Sequence, residues 1–181
     1  MFAFFSDQGE ILNKIVGIVL EEVFKWGPLE VAKYPVGLEQ AAEDYPINEI
    51  VKQGELNQTM VVRIVGMSGA GKSTLAKYLY NLRRPNFNGR SCFLSEVRKK
   101  DLHWLQRKLL RDLIGYDQDF DIDKGKHILR HCRILLVLDD VDHMDQIDGL
   151  LDIDSVGCGS LIFITSHERE LLRCPSPKTL L

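Results

Sequence analysis

Eight residues, Gly66-Met67-Ser68-Gly69-Ala70-Gly71-Lys72-Ser73, constrain this chain more than any other stretch in it. They fit the spacing G-x-x-x-x-G-K-[ST] at every position. The run before them, Met60–Val65, is apolar and β-branched and reads as a buried strand; Lys72–Leu82 after them reads as a helix. A strand, a glycine-rich turn and a helix in that order form a loop whose backbone N–H groups, from Gly66 through Met67, Ser68, Gly69, Ala70 and Gly71, curl around phosphate oxygens. The helix that opens beside Lys72 adds the positive end of its dipole. Lys72 is then expected to reach the β- and γ-phosphates, Ser73 to ligate Mg²⁺, and Thr74 to give a further hydroxyl to a phosphate. The expected ligand is a purine nucleoside di- or triphosphate with Mg²⁺.

The rest of the chain alternates in a way that suits such a loop. Short strands are predicted at Ser91–Leu94, Ile134–Leu138 and Leu161–Thr165. Helices are predicted at Leu102–Leu113, Lys124–His131 and Met144–Leu151. Strands alternating with helices indicate an α/β fold with a mostly parallel sheet. Upstream, Asp7 and Glu10 form a capping-box pattern, and apolar residues from Leu12 to Trp26 recur at helical spacing until Gly27-Pro28. A loop through Tyr34-Pro35-Val36-Gly37 follows, then a helical pattern over Gln40–Lys52.

Ile134-Leu135-Leu136-Val137-Leu138 ends in Asp139-Asp140, at the sheet edge where open α/β sheets bind ligands. Asp139 is placed to hold the hydration shell of Mg²⁺, and Asp140 to orient or deprotonate an attacking water; the alternative is a polar strand end. The last strand leads through Thr165-Ser166 to His167, which is either a phosphate sensor or a histidine of a surface loop.

Charge and cysteines exclude other classes. A net charge of -3 and a pI of about 6.0 argue against a dedicated nucleic-acid binder. The pairs and runs Arg83-Arg84 and Arg98-Lys99-Lys100 read as solvated faces. Cys92, Cys132, Cys158 and Cys174 form no C-x-x-C pair, and their dispersal among apolar residues suggests reduced thiols in the cytoplasm or nucleus. His127 and His131 are four apart with no third ligand nearby. The start lacks the features of a signal peptide, and Ile11–Leu20 is too short to span a bilayer.

Taken in order, the loop, the Leu135-Leu136-Val137-Leu138-Asp139-Asp140-Val141-Asp142 run and Gly159-Ser160-Leu161-Ile162-Phe163-Ile164-Thr165 resemble the NB-ARC nucleotide-binding domain of plant NLR disease-resistance proteins. Val36-Gly37-Leu38 and Cys92-Phe93-Leu94-Ser95-Glu96-Val97-Arg98 extend the match. Val31 to Gly37 resembles the linker that follows a TIR domain, and Asp142 also resembles the TIR class. The resemblance implies a three-layer P-loop NTPase sandwich, a linker helix over 1–30 and a partial NB-ARC domain over 31–181. It implies a switch held off by ADP and turned on by ATP, with Val36, Gly37 and their neighbours against adenine. It also implies departures. Where the family usually reads Thr-Thr-Arg, with the arginine on phosphate, this chain reads Thr165-Ser166-His167. No TIR domain precedes Ser6, and the family's later helical subdomains and leucine-rich repeats have no counterpart before Leu181.

The expected activity is therefore nucleotide binding with weak or no ATP hydrolysis; at most the chain is a slow ATPase. The alternative is a non-catalytic interaction fragment that associates with full-length receptors. An ordinary small P-loop kinase would need a substrate lid and basic residues at the far end of the sheet, which the sequence lacks. The resemblance further implies that the strand flanking Met60–Val65 on its open side comes from sequence after Leu181. The sheet would then be incomplete at its C-terminal end, with Met60–Val65 an edge whose single charged blocker is Arg63.

Overall fold

The fold is that of a computed structural model, which describes residues 27–31, 58–115 and 121–168. The predicted helix over Leu12–Trp26, the Val36-Gly37 loop, the Gln40–Lys52 helix and Cys174 lie outside the described residues.

Four strands form one sheet: β1 (Met60–Val65), β2 (Ser91–Leu94), β3 (Leu135–Val141) and β4 (Leu161–Ser166). Their order is β1-β4-β3-β2, and every pairing is parallel. Four helices connect or flank them: α1 (Lys72–Arg83), α2 (Leu102–Ile114), α3 (Ile122–Leu129) and α4 (Met144–Leu150). The alternation of side chains along each strand divides the core in two. Met60, Val62, Leu135, Val137, Leu161 and Phe163 face α1 through Ala76, Leu79 and Tyr80. Val61, Leu136, Leu138, Ile162 and Ile164 face the other way, onto Leu105, Leu109 and Leu113 of α2, Leu129 of α3 and Ile147 and Leu150 of α4. Helices cover both faces, so the architecture is the three-layer α/β sandwich expected.

The elements predicted over the described residues are all present; α3 and β3 shift most, and the ends of α1, α2, α4 and β4 each differ by one residue. Helix α3 starts earlier than expected because Asp121 caps it, its carboxylate accepting from Asp123 N at 3.0 Å. It also ends earlier, because His131 N and Cys132 N bond three residues back, to Ile128 O and Leu129 O, and tighten the chain into a turn. Strand β3 starts one residue late, since Ile134 N donates to the Ser160 hydroxyl at 3.0 Å. It then runs past Leu138 through both carboxylates to Val141, with a break in register between Leu138 and Val141.

β1 ends the four-strand order, and β4 is its one strand partner among the described residues. Arg63 does not stand out from that strand as an exposed charge. It is 6% exposed, on the same face as Val61, and its Nη1 has no hydrogen-bond partner among the described residues.

Cys92, Cys132 and Cys158 are free thiols, the first two buried. Among the described residues no helix is long and apolar enough to cross a membrane.

Candidate functional site

The turn from β1 into α1 brings backbone inward where a side chain would be strained. Gly69 and Gly71 have φ of 78° and 82°, a left-handed conformation that glycine enters without a Cβ clash. Gly71 is also the residue from which α1 starts, and its carbonyl takes the N–H of Leu75 at 2.9 Å. This fixes the loop around Lys72. Only 9% of Lys72 is exposed, and its Nζ donates to Gly66 O and Met67 O, both at 2.8 Å. A third contact, at 3.2 Å, is to His167 Nδ1.

Facing the loop across an open cleft of about 410 Å³ are the C-terminal ends of β3 and β4 and the turn after β2. That volume is within the range of small-molecule sites, roughly 300–1,000 Å³. Ser68, Gly69, Gly71, Lys72, Ser73 and Thr74 line one side; Asp139, Asp140, Thr165 and His167 line the other, with Glu96 and Arg98. Of the predicted loop residues, Gly66, Met67 and Ala70 do not line the cleft. Gly66 and Met67 hold Lys72 through their carbonyls, and the Met67 side chain is 84% exposed. Val36 and Gly37 lie outside the described residues.

The two carboxylates are held differently. Asp139 is buried, and its Oδ1 accepts the Thr165 hydroxyl at 2.7 Å. Thr165 Oγ1 in turn accepts the N–H of Asp140 at 2.9 Å, which fixes the end of β3 to the end of β4. Asp140 takes φ 62°, a left-handed position that aspartate tolerates better than most residues. This bend turns its carboxylate toward two partners. Arg98 Nε lies 3.0 Å from Oδ2, and His167 Nε2 lies 3.4 Å from Oδ1. The Lys72 ammonium can only donate, so His167 Nδ1 accepts from it and Nε2 carries the ring proton toward Asp140. Lys72, His167, Asp140 and Arg98 thus form one continuous polar chain across the cleft.

The donor set suits a phosphate-bound Mg²⁺. The Ser73 hydroxyl and the Asp139 carboxylate are hard oxygen donors, and Asp139 keeps one oxygen beyond its bond to Thr165. The lining holds two fixed cations, Lys72 and Arg98, against three carboxylates, Glu96, Asp139 and Asp140. A polyphosphate bound there would need more positive charge than that, which a divalent cation would supply.

Three lining residues, Glu96, Arg98 and Thr165, were not read from the sequence as part of the site. The Arg98-Lys99-Lys100 run reads as a solvated face, yet Arg98 pairs with Asp140 and Lys100 sits over the Trp104 ring at 4.7 Å. Arg84 likewise donates to Gly27 O instead of facing solvent alone. Thr165 was expected only as the end of a strand. Its role as the clasp between Asp139 and Asp140 depends on residues 25 and 26 positions away.

A family model described as the NB-ARC domain matches residues 41–176, most of the chain. The chain belongs to the NB-ARC family. It is 34% identical over 180 residues, 93% of its length, to disease resistance protein LAZ5 of Arabidopsis thaliana. It is 32% identical over 149 residues, 76% of its length, to disease resistance-like protein DSC1 of the same plant. It is 34% identical over 132 residues, 65% of its length, to TMV resistance protein N of Nicotiana glutinosa. The matched parts make up 14%, 12% and 12% of those relatives, so the chain spans a small share of their length. The NB-ARC family and the all-parallel sheet with its loop after β1 agree on one fold, the α/β fold of P-loop NTPases.

Proposed function

We propose that this NB-ARC chain binds ADP or ATP with Mg²⁺ in the cleft between the Gly66–Ser73 loop and the ends of β3 and β4, as the switch module of a plant disease-resistance receptor. The observation that carries the proposal is Lys72. A lysine ammonium, 91% removed from solvent, has as its partners among the described residues two carbonyls of its own loop and one imidazole, and no carboxylate. A buried cation without a carboxylate partner is costly, and a polyphosphate at the cleft floor relieves that cost.

In this account Lys72, Ser73 and Thr74 hold phosphate and metal, with the loop amides around them. Asp139, fixed by Thr165, holds the metal or its water. ATP bound there supplies a terminal phosphoryl group open to attack by water. Asp140 is the candidate base, but both of its oxygens are engaged, by Arg98 and His167. That engagement supports weak or no hydrolysis, because phosphoryl transfer depends on positioning and on a free base or water-orienting group. The setting is cytoplasmic or nuclear.

The test is equilibrium binding of ADP and of ATP, each with Mg²⁺ and with a chelator. Tighter binding in Mg²⁺ supports the account. Absence of binding for both nucleotides in both conditions refutes it.

A second role, association with other receptors of this class or with a second copy, draws on β1. It ends the described sheet, with β4 its one strand partner among the described residues, and such an edge pairs readily with another chain.

A further inference from the structure

Arg98 is the one guanidinium lining the cleft among the described residues. Its base is firm. It stands in a 3₁₀ turn, Val97–Lys99, anchored by the fully buried Val97. Lys99 N and Lys100 N close the turn onto Glu96 O and Val97 O at 3.0 and 3.2 Å. From there the side chain reaches Asp140, Nε to Oδ2 at 3.0 Å, while 45% of it remains in water. A half-exposed ion pair of this kind is weak and readily exchanged.

Asp140 is the carboxylate at the centre of the polar chain. Arg98 holds one oxygen; His167 faces the other and leads back to Lys72. The chain therefore continues past the lysine that holds the β-phosphate in the proposed complex, and it ends in a guanidinium. Position 167 carries an imidazole, whose nitrogens are already directed at Lys72 and Asp140. It lacks the two-pronged donor set with which a guanidinium grips a phosphate.

We propose that Arg98 distinguishes a nucleoside triphosphate from a diphosphate by exchanging Asp140 for the terminal phosphate. The proposal rests on the nucleotide-binding account above. A terminal phosphate brings up to about two negative charges and three acceptor oxygens, and it outcompetes a single carboxylate for the arginine fork. No covalent bond is made or broken. The guanidinium moves from one anion to another, and Asp140 Oδ2 is released toward the site of attack. A diphosphate ends short of this point and leaves the Arg98–Asp140 pair in place. Arg98 would thus link triphosphate recognition to the freeing of the candidate base.

The experiment titrates ADP and ATP, with Mg²⁺, into the full chain as wild type, Arg98→Ala and Arg98→Lys. The expected result is a fall of ~10-fold in the ratio of ATP to ADP affinity for Arg98→Ala, with part of the ratio recovered in Arg98→Lys. An unchanged ratio in variants that still bind overturns the proposal. Equal loss of both nucleotides also overturns it, since that is the signature of a purely structural role for the turn. If the alanine variant fails to fold by circular dichroism, Arg98→Gln carries the same comparison. A wild type that binds neither nucleotide refutes the binding account and the Arg98 proposal together. A wild type that binds both, with an unmoved ratio in the variants, removes Arg98 alone.

Discussion

Thr165 donates its hydroxyl proton to Asp139 Oδ1 across 2.7 Å, and both residues are buried. Thr165 Oγ1 in turn accepts the N–H of Asp140 at 2.9 Å, so one side chain of β4 sets both carboxylates of β3. Thr165→Val keeps the shape and removes both bonds. Two buried polar groups then lose a partner, at about 1–3 kcal/mol each. The variant should be destabilised by that order in urea unfolding, and Mg²⁺ should tighten its nucleotide binding less than in wild type. Stability within about 0.5 kcal/mol of wild type, the usual range for a neutral surface change, would contradict this.

Hydrolysis should be slow. Asp140 is turned by its φ of 62°, and His167 still faces its Oδ1 when Arg98 releases Oδ2 to a bound triphosphate, so the carboxylate remains a poorly placed base. Turnover above about 1 per second, the low end for kinases, would be inconsistent with that geometry. Where residual hydrolysis is measurable, Asp140→Asn should lower it more than it lowers ATP affinity.

Much of this arrangement is legible in the sequence, and the gaps have physical causes. β1 and β2 match their expected bounds because each is a short apolar run closed by glycine or polar residues. The loop is legible because its chemistry lies in eight consecutive residues. β3 is misjudged at both ends because side chains from β4 and the turn before it complete its bonding: Ser160 takes Ile134 N, and Thr165 takes Asp140 N. Periodicity carries no record of such partners. Arg98 is hidden for the same reason. A basic run is ordinarily solvated, and nothing local shows that a bent carboxylate 42 positions on will face it.

The thiols should separate by burial. Burial, then the nearby Asp112 carboxylate, raises Cys92 well above its ordinary value of 9.0, and its Sγ donates to Asp112 at 3.5 Å. Cys158 is exposed. Iodoacetamide at about pH 8 should modify Cys158 well before Cys92 and Cys132, mapped by mass spectrometry of peptides. A folded-state value above the unfolded one means that this stabilisation is present below about pH 9 and is lost as alkali ionises the unfolded thiol first. Tyr80, raised by burial above its ordinary 10.0, acts in the same direction. The urea midpoint should therefore fall from neutral to alkaline pH. Cys92 labelling as fast as Cys158 in the folded protein would count against the packing described.

The position of β1 at the end of the described sheet makes a further prediction. Sedimentation across a concentration series should show self-association, and amides of Met60–Val65 should exchange faster than those of Leu135–Leu138. A clean monomer with equal protection in the two strands would mean that the edge is covered.

The central claim is that the Gly66–Ser73 loop holds nucleotide phosphate through Lys72. Calorimetric titration of ADP with Mg²⁺ into wild type and Lys72→Ala tests it most directly. Among the described residues Lys72 Nζ bonds only to carbonyls of its own loop and to His167, so its loss should leave the fold intact, with water replacing it at Gly66 O and Met67 O. The account predicts clear binding by wild type, at least a ~10-fold loss in the variant, and superimposable circular dichroism. Equal ADP affinity in two equally folded proteins would contradict it.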